Sequence, residues 1–269
     1  MDVRPIGVFD SGLGGLTTVK KLAEYLPGED IIYLGDTGRV PYGSRSKETI
    51  IKYALQDAAF LAGFNIKAMI VACNTVCSVA IGTLQDRYNL PLYEVVNAPS
   101  KAAVMQTKSG IVGVIGTAAT IRSKAYETAI LGIEPGMKVL SVPCPLFVPL
   151  AENGRTDVDD IAAMAIAGDY LSQFYGTGLD TLIMGCTHYP LLRGVIAKIM
   201  GPGVYLIDSG TEAAKLTSED MKARNILSKK KAAGSVKYYV TDSAEGFSQH
   251  ASRFLESDVR GMVEMVSLE

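Results

Sequence analysis

Cysteine is scarce: 269 residues carry four, Cys73, Cys77, Cys144 and Cys186. So few in so long a chain exclude a disulfide scaffold and point to free thiols in a reducing compartment. Long apolar runs are missing too. No uncharged stretch reaches the roughly 18 to 20 residues of a membrane-spanning helix. The N-terminus, MDVRPIGVFD, has no signal-peptide layout. A cytoplasmic protein with no membrane partner is expected. Neither sign of charge is in excess, since 26 Lys and Arg face 28 Asp and Glu, a net charge of −2. The one basic run, SKKKAAG (Ser228–Gly234), reads as a solvated loop, so no nucleic-acid partner is expected. GxGxxG and the phosphate-loop pattern GxxxxGKS/T are absent, and nucleotide binding lacks a signature. C-x-x-C is absent as well, which leaves a dithiol redox protein unsupported. What is present is 48% apolar residues, enough to build a real core in one large domain or two small ones.

Those apolar residues come in short runs. PIGVFDSG, DIIYLGDTG, KAMIVACN, PLYEVVNA, SGIVGVIGT, MKVLSVPCP, DTLIMGCT, GVYLIDSG and VKYYVTD all read as buried strands. Helical patterns separate them, such as GLTTVKKLAEYL and SKETIIKYALQDAAFLAGF. In the latter, Ile50, Ile51, Ala54, Leu55, Ala58 and Leu61 share one face. The alternation predicts an α/β protein with mainly parallel sheets covered by helices on both sides.

The chain also repeats itself. IGVFDSGLGG answers VGVIGTAATI, IVACNT answers IMGCTH, and LYEVVNAPSKAA answers VYLIDSGTEAA, at offsets of about 106 to 113 residues. A fixed order at a nearly fixed offset is the mark of a duplicated half. Two pseudo-symmetric doubly wound domains are therefore expected, residues 1–97 with 208–269 and residues 98–207. The tail, with VKYYV and EGFSQHASRFLES, should return to complete the first sheet. Ligands of open parallel sheets bind at the carboxyl ends of strands, so the active site is expected in the cleft between the domains.

Cys73 and Cys186 close matching runs of the repeat. Each is expected at a helix N-terminus, where the dipole favours thiolate and lowers the pKa from about 8.5. Asn74 or Thr75 is expected to cap the helix after Cys73, and Pro190 suits the first turn after Cys186. A single such cysteine would read as an inert core residue; a matched pair points to chemistry. With the halves face to face, a carbon near 3.5 Å from each sulfur would set the sulfurs roughly 7 Å apart. One thiolate takes a proton from one face while the other thiol delivers one to the opposite face, inverting a stereocentre. Asp10 could orient Cys73 or pair with a ligand ammonium, or merely cap the next helix. His188 could stabilise the Cys186 thiolate, and Glu152 could orient His188. The turns DSGLGG and GDTGRVPYG could offer backbone N–H groups to a carboxylate. A zinc site from Cys73, Cys77, Cys186 and His188 has the wrong spacing, and no metal is expected. Cys77 and Cys144 read as structural, and His250 as exposed and silent.

Taken together, GVFDSGLGGLTTV, GDTGRVPYG, VACNT, GTAATI and MGCTHYPLL resemble the glutamate racemases of the aspartate/glutamate racemase superfamily, over nearly the whole chain. The resemblance implies an isomerase that interconverts L- and D-glutamate without a cofactor and supplies D-glutamate for peptidoglycan synthesis. It maps the acid–base pair onto Cys73 and Cys186, with Asp10, His188 and Glu152 assisting. It maps substrate contacts onto Ser11, Tyr42, Gly43, Asn74, Thr75 and Thr187, and Thr117 is expected to join them. No arginine clamp is required by this reading. No Lys stands beside either cysteine motif, as a Schiff-base cofactor would need. A homodimer is usual in the resembled family and is expected here. Because the first strand starts so near the beginning, control through an N-terminal extension is not expected. A racemase for aspartate or another acid, a one-thiol isomerase or decarboxylase, and a non-catalytic amino-acid sensor are the competing readings.

Overall fold

The computed structural model describes residues 2–230 and 232–268. Its strands are β1 (Ile6–Asp10), β2 (Ile31–Gly35), β3 (Ala68–Val71), β4 (Leu92–Glu94), β5 (Ile111–Gly116), β6 (Lys138–Pro143), β7 (Thr181–Gly185), β8 (Tyr205–Asp208), β9 (Val236–Val240) and β10 (Val263–Met265). Its helices are α1 (Leu16–Tyr25), α2 (Lys47–Ala62), α3 (Asn74–Arg87), α4 (Asn97–Gln106), α5 (Ala118–Ser123), α6 (Ala125–Ile133), α7 (Phe147–Glu152), α8 (Ile161–Leu171), α9 (Arg193–Met200), α10 (Ser209–Ala223) and α11 (Ala244–Leu255). All nine predicted runs form strands. The tenth, β10, is a short, largely exposed edge strand with no apolar run to announce it.

The strands form two sheets, β10-β9-β2-β1-β3-β4 and β6-β5-β7-β8, and every pairing is parallel. The repeat is visible in this order. β2-β1-β3-β4 of one sheet and β6-β5-β7-β8 of the other have the same topology. The tail supplies β9 and β10, which extend the first sheet beyond β2. In each sheet the winding reverses beside the first strand of the repeat. The two reversal points are β1/β3, where Phe9 pairs with Val71, and β5/β7, where Gly116 pairs with Gly185.

Strand residues alternate between the layers. Ile6, Val8, Ala68 and Ile70 face α1, α10 and α11, whereas Phe9, Met69 and Val71 face α2 and α3. The layer containing Phe9 continues into the second sheet through Val112, Val114, Tyr126 and Ile183, so one apolar core joins the two lobes. A third cluster, with Ile115, Leu182 and Met184, covers the far face of the second sheet beneath α8 and α9. Helix starts follow local chemistry. Ser46 caps α2 through the Thr49 N–H, Thr117 caps α5 through Thr120, and Asp160 caps α8 through Ala162 and Ala163. No helix among the described residues is long and apolar enough to cross a membrane.

Candidate active site

The carboxyl ends of β1, β3, β5 and β7 border a cavity of about 570 Å³. Cys73 enters it from the first lobe and Cys186 from the second. Ser11, Tyr42, Gly43, Asn74 and Thr75 line the cavity from the first lobe. Thr117, Glu152, Thr187 and His188 line it from the second. Asp10 is different. It is fully buried just behind Ser11 and Gly12, which do line the cavity.

The first lobe's thiol sits in a tight setting. Cys73 is itself the N-cap of α3, and no side chain caps that helix, so neither Asn74 nor Thr75 takes the expected capping role. The Cys73 thiol contacts Ser11 Oγ at 3.5 Å. Burial, reinforced by the Asp10 carboxylate, pushes this thiol up to about 12 against the weaker pull of Ser11 and backbone amides. The expectation of a lowered pKa fails here because the thiol is buried beside a carboxylate. Desolvation of a thiolate outweighs the start of one helix. Asp10 accepts from the Gly12 N–H at 2.9 Å through Oδ2, while its buried Oδ1 has no partner among the described residues. Burial raises its pKa too, partly offset by His188 and the backbone N–H groups of Gly12, Gly15 and Ser11.

Asn74 ties the lobes together. Its amide nitrogen donates to Tyr126 Oη at 2.7 Å, Val95 O at 3.2 Å and Ser209 Oγ at 3.3 Å. Its buried Oδ1 has no partner among the described residues. Thr75 and Thr117 meet hydroxyl to hydroxyl at 3.0 Å across the cavity wall. The Tyr42 hydroxyl turns away into the protein, to Asp36 and Asp57, and so is not offered to the cavity. Gly43 lies against Thr117, where an added Cβ would stand 3.0 Å from Thr117 Cβ.

The second thiol has a different setting. Cys186 Sγ lies 3.9 Å from His188 Nδ1, and His188 Nε2 lies 3.0 Å from Glu152 Oε1. Burial disfavours the imidazolium, but contacts with Cys186 and Glu152 outweigh it and raise His188 to about 10. The expected α-helical start at this thiol is not found. Cys186 precedes a 3₁₀ turn, Tyr189–Leu192, and α9 begins only at Arg193. The imidazole, rather than a helix dipole, is the positive group beside Cys186. Phe254 of α11 closes the other side of that ring, edge to face at 5.6 Å between centroids.

Several liners carried no signal in the sequence reading. Arg122, on α5, lines the cavity, although no arginine was required. It stands four residues after Ala118, another liner, so the two share one face of α5. Pro145, Val148 and Pro149 supply an apolar wall. Cys77 and Cys144 stay outside the cavity. Cys77 donates to Val71 O at 3.2 Å, and Cys144 is fully buried beneath Tyr189. His250 departs from expectation: it is half-buried, not exposed, and its Nδ1 lacks a partner among the described residues. It borders a second cavity of about 360 Å³ that shares Glu152 with the first.

Known proteins match this arrangement from end to end. A family model described as Asp/Glu/Hydantoin racemase matches residues 6–217. A glutamate racemase of Geobacter metallireducens is 45% identical over 269 residues, covering 100% of this chain and 98% of the relative. One of Chlorobaculum tepidum is 44% identical over 98% of this chain and 96% of its own. The crystal structure of glutamate racemase from Francisella tularensis in complex with D-glutamate superposes with a TM-score of 0.92 at 40% identity. That superposition covers 100% of this chain and 99% of the other. With two sheets of the same winding and a cysteine from each at one cavity, the chain belongs to the Asp/Glu/Hydantoin racemase family.

Proposed function

We propose that this protein interconverts L- and D-glutamate by moving protons between the substrate Cα and two thiols, with no cofactor. The observation that carries this reading is the single cavity lined by Cys73 from one lobe and Cys186 from its topological counterpart. Racemisation runs both ways, so each face of the carbon needs a group able both to take and to give a proton. A duplicated fold supplies such a pair. The two sides differ in their surroundings. Burial, reinforced by the Asp10 carboxylate, holds Cys73 as the thiol, while the His188 imidazolium stands 3.9 Å from Cys186 Sγ. An arriving substrate ammonium suits Asn74 on the cavity wall, with the Asp10 carboxyl group just behind; the Oδ1 atom of each has no partner among the described residues. The ammonium would also counter the Asp10 charge that holds the Cys73 proton in place. Ser11, Thr75, Thr117, Thr187 and the backbone of Tyr42 and Gly43 are left to hold the carboxylates. The hydroxyl and backbone donors around this enclosed site would stabilise developing carbanion character.

The chain, built as two lobes of residues 1–97 with 208–269 and residues 98–207, would act as a homodimer in the cytoplasm, and the D-glutamate formed would feed peptidoglycan synthesis. Circular dichroism of L-glutamate with the purified protein tests the reaction. Decay of the signal to zero without added cofactor is expected. A constant signal removes the racemase reading in favour of a binding protein.

A further inference from the structure

Behind the Tyr42–Ser44 wall, a polar cluster is buried where neither thiol reaches. Asp36 follows β2, Asp57 interrupts the apolar face of α2, and both are fully buried. One guanidinium serves both. Arg39 Nε donates to Asp36 Oδ2 at 2.6 Å, Nη2 to Asp57 Oδ1 at 2.9 Å and Nη1 to Gln56 Oε1 at 2.6 Å. Thr241 donates to Asp36 Oδ1 at 2.7 Å. The Tyr42 hydroxyl stands between the carboxyl groups, in contact with Asp36 Oδ2 and at 3.0 Å from Asp57 Oδ2.

Counting hydrogens decides the charge state. A phenol carries one hydrogen and can donate it to one carboxyl group only. The other oxygen–oxygen contact needs a hydrogen from elsewhere. Asp36 Oδ2 already accepts from both Arg39 and Tyr42, and its Oδ1 accepts from Thr241. Asp57 Oδ1 accepts from Arg39, whereas Asp57 Oδ2 meets only Tyr42 among the described residues, which makes it the place for a proton.

We propose that Asp57 is a protonated carboxylic acid whose Oδ2–H donates to Tyr42, so that Tyr42 donates to Asp36 and the Gly43–Ser44 wall of the substrate cavity is locked in place. Each of the two oxygen–oxygen contacts of Tyr42 then holds one hydrogen. The cluster holds one negative charge, on Asp36, and one positive, on Arg39, in place of an uncompensated buried carboxylate. Burial and the Asp36 charge raise the Asp57 pKa well above the carboxylate range. Arg39 and Tyr42 oppose that shift, and the more remote Asp10 adds to it. Tyr53, which stacks under Arg39 at 4.2 Å, completes the titratable and charged surroundings. Asp57 does not line the cavity, so it is a positioning residue acting through Tyr42.

Two measurements on the full chain test this. Infrared difference spectroscopy of the wild type against Asp57→Asn should show a carboxylic-acid carbonyl band at neutral pH that the variant lacks. Absence of that band overturns the proposal. The kinetic test rests on the glutamate reading of the cavity. Asp57→Asn keeps a carbonyl for Arg39 and an N–H donor for Tyr42, so its KM should stay within about twofold of wild type. Asp57→Leu removes both and should raise KM about tenfold, with kcat less affected. An Asn variant as impaired as the Leu variant would show that Asp57 acts as a carboxylate. Should Asp57→Leu fail to fold, the Asn variant and the infrared band still decide. If the wild type racemises nothing, the functional reading falls, and the band alone judges the proton on Asp57.

Discussion

At the scale of single residues, the two cysteines that enter the cavity have different surroundings. Cys73 sits among buried groups with the Asp10 carboxylate nearby, which favours the protonated thiol. Cys186 sits beside an imidazole that Glu152 holds in place. Under the proposed mechanism, removing either thiol leaves one face of the carbon without a proton carrier. Cys73→Ala and Cys186→Ala should each lower kcat by about 10³-fold or more, the scale of a lost acid–base group, in the circular dichroism assay. The serine variants should retain at most weak exchange at one face. His188 also carries a pH signature. Its pKa rises from about 6.5 in the unfolded chain to about 10 in the folded one. Its stabilisation is therefore complete below about pH 6.5 and is lost as pH rises towards 10. Urea unfolding at a series of pH values should show this decline in the wild type, and His188→Asn should flatten it. The cysteine pair and its neighbours were legible in the sequence because the repeat set them side by side. The direction of the Cys73 shift was not, since burial is a property of the folded cavity. Arg122 and Asp57 escaped for a related reason: which way a helix face turns is decided by tertiary packing.

At the scale of elements, the site is built from strand ends and the turns that follow them, and these must approach closely. Gly14, just before α1, shows how closely. A Cβ there would stand 2.1 Å from Thr187 Oγ1 and 2.5 Å from His188 Nδ1, both in the other lobe. Thr17, one turn along, donates across the same seam to Thr187 O at 3.0 Å. Gly14→Ala should therefore cost about 1–3 kcal/mol of stability, the usual scale of overpacking. It should also lower kcat/KM by displacing His188, and denaturant unfolding with parallel kinetics checks both. Nine strands were readable as apolar runs ending in small or polar residues. β10 was not, because three edge residues, two of them exposed, carry no period. The start at Cys186 misled because Pro190 suits a 3₁₀ turn as well as an α-helix.

At the scale of the whole molecule, the duplicated winding order explains why two reactive ends face one space. β1 and β3 deliver Ser11 and Cys73, and their counterparts β5 and β7 deliver Thr117 and Cys186. The core that runs from Phe9 through Tyr126 to Ile183 fixes the lobes against each other, so the cavity keeps its two-sided geometry. The repeat made that architecture legible from spacing alone, whereas the apolar seam joining the lobes shows only once both sheets are folded. Racemisation of L-glutamate in heavy water, sampled early and analysed by proton NMR after separating the enantiomers, tests the two-sided chemistry most directly. Deuterium at Cα should appear in newly formed D-glutamate while the remaining L-glutamate keeps its hydrogen, because one thiol removes and the other delivers. Deuterium appearing equally in both enantiomers from the first turnovers would mean that a single group serves both faces, and would contradict the account.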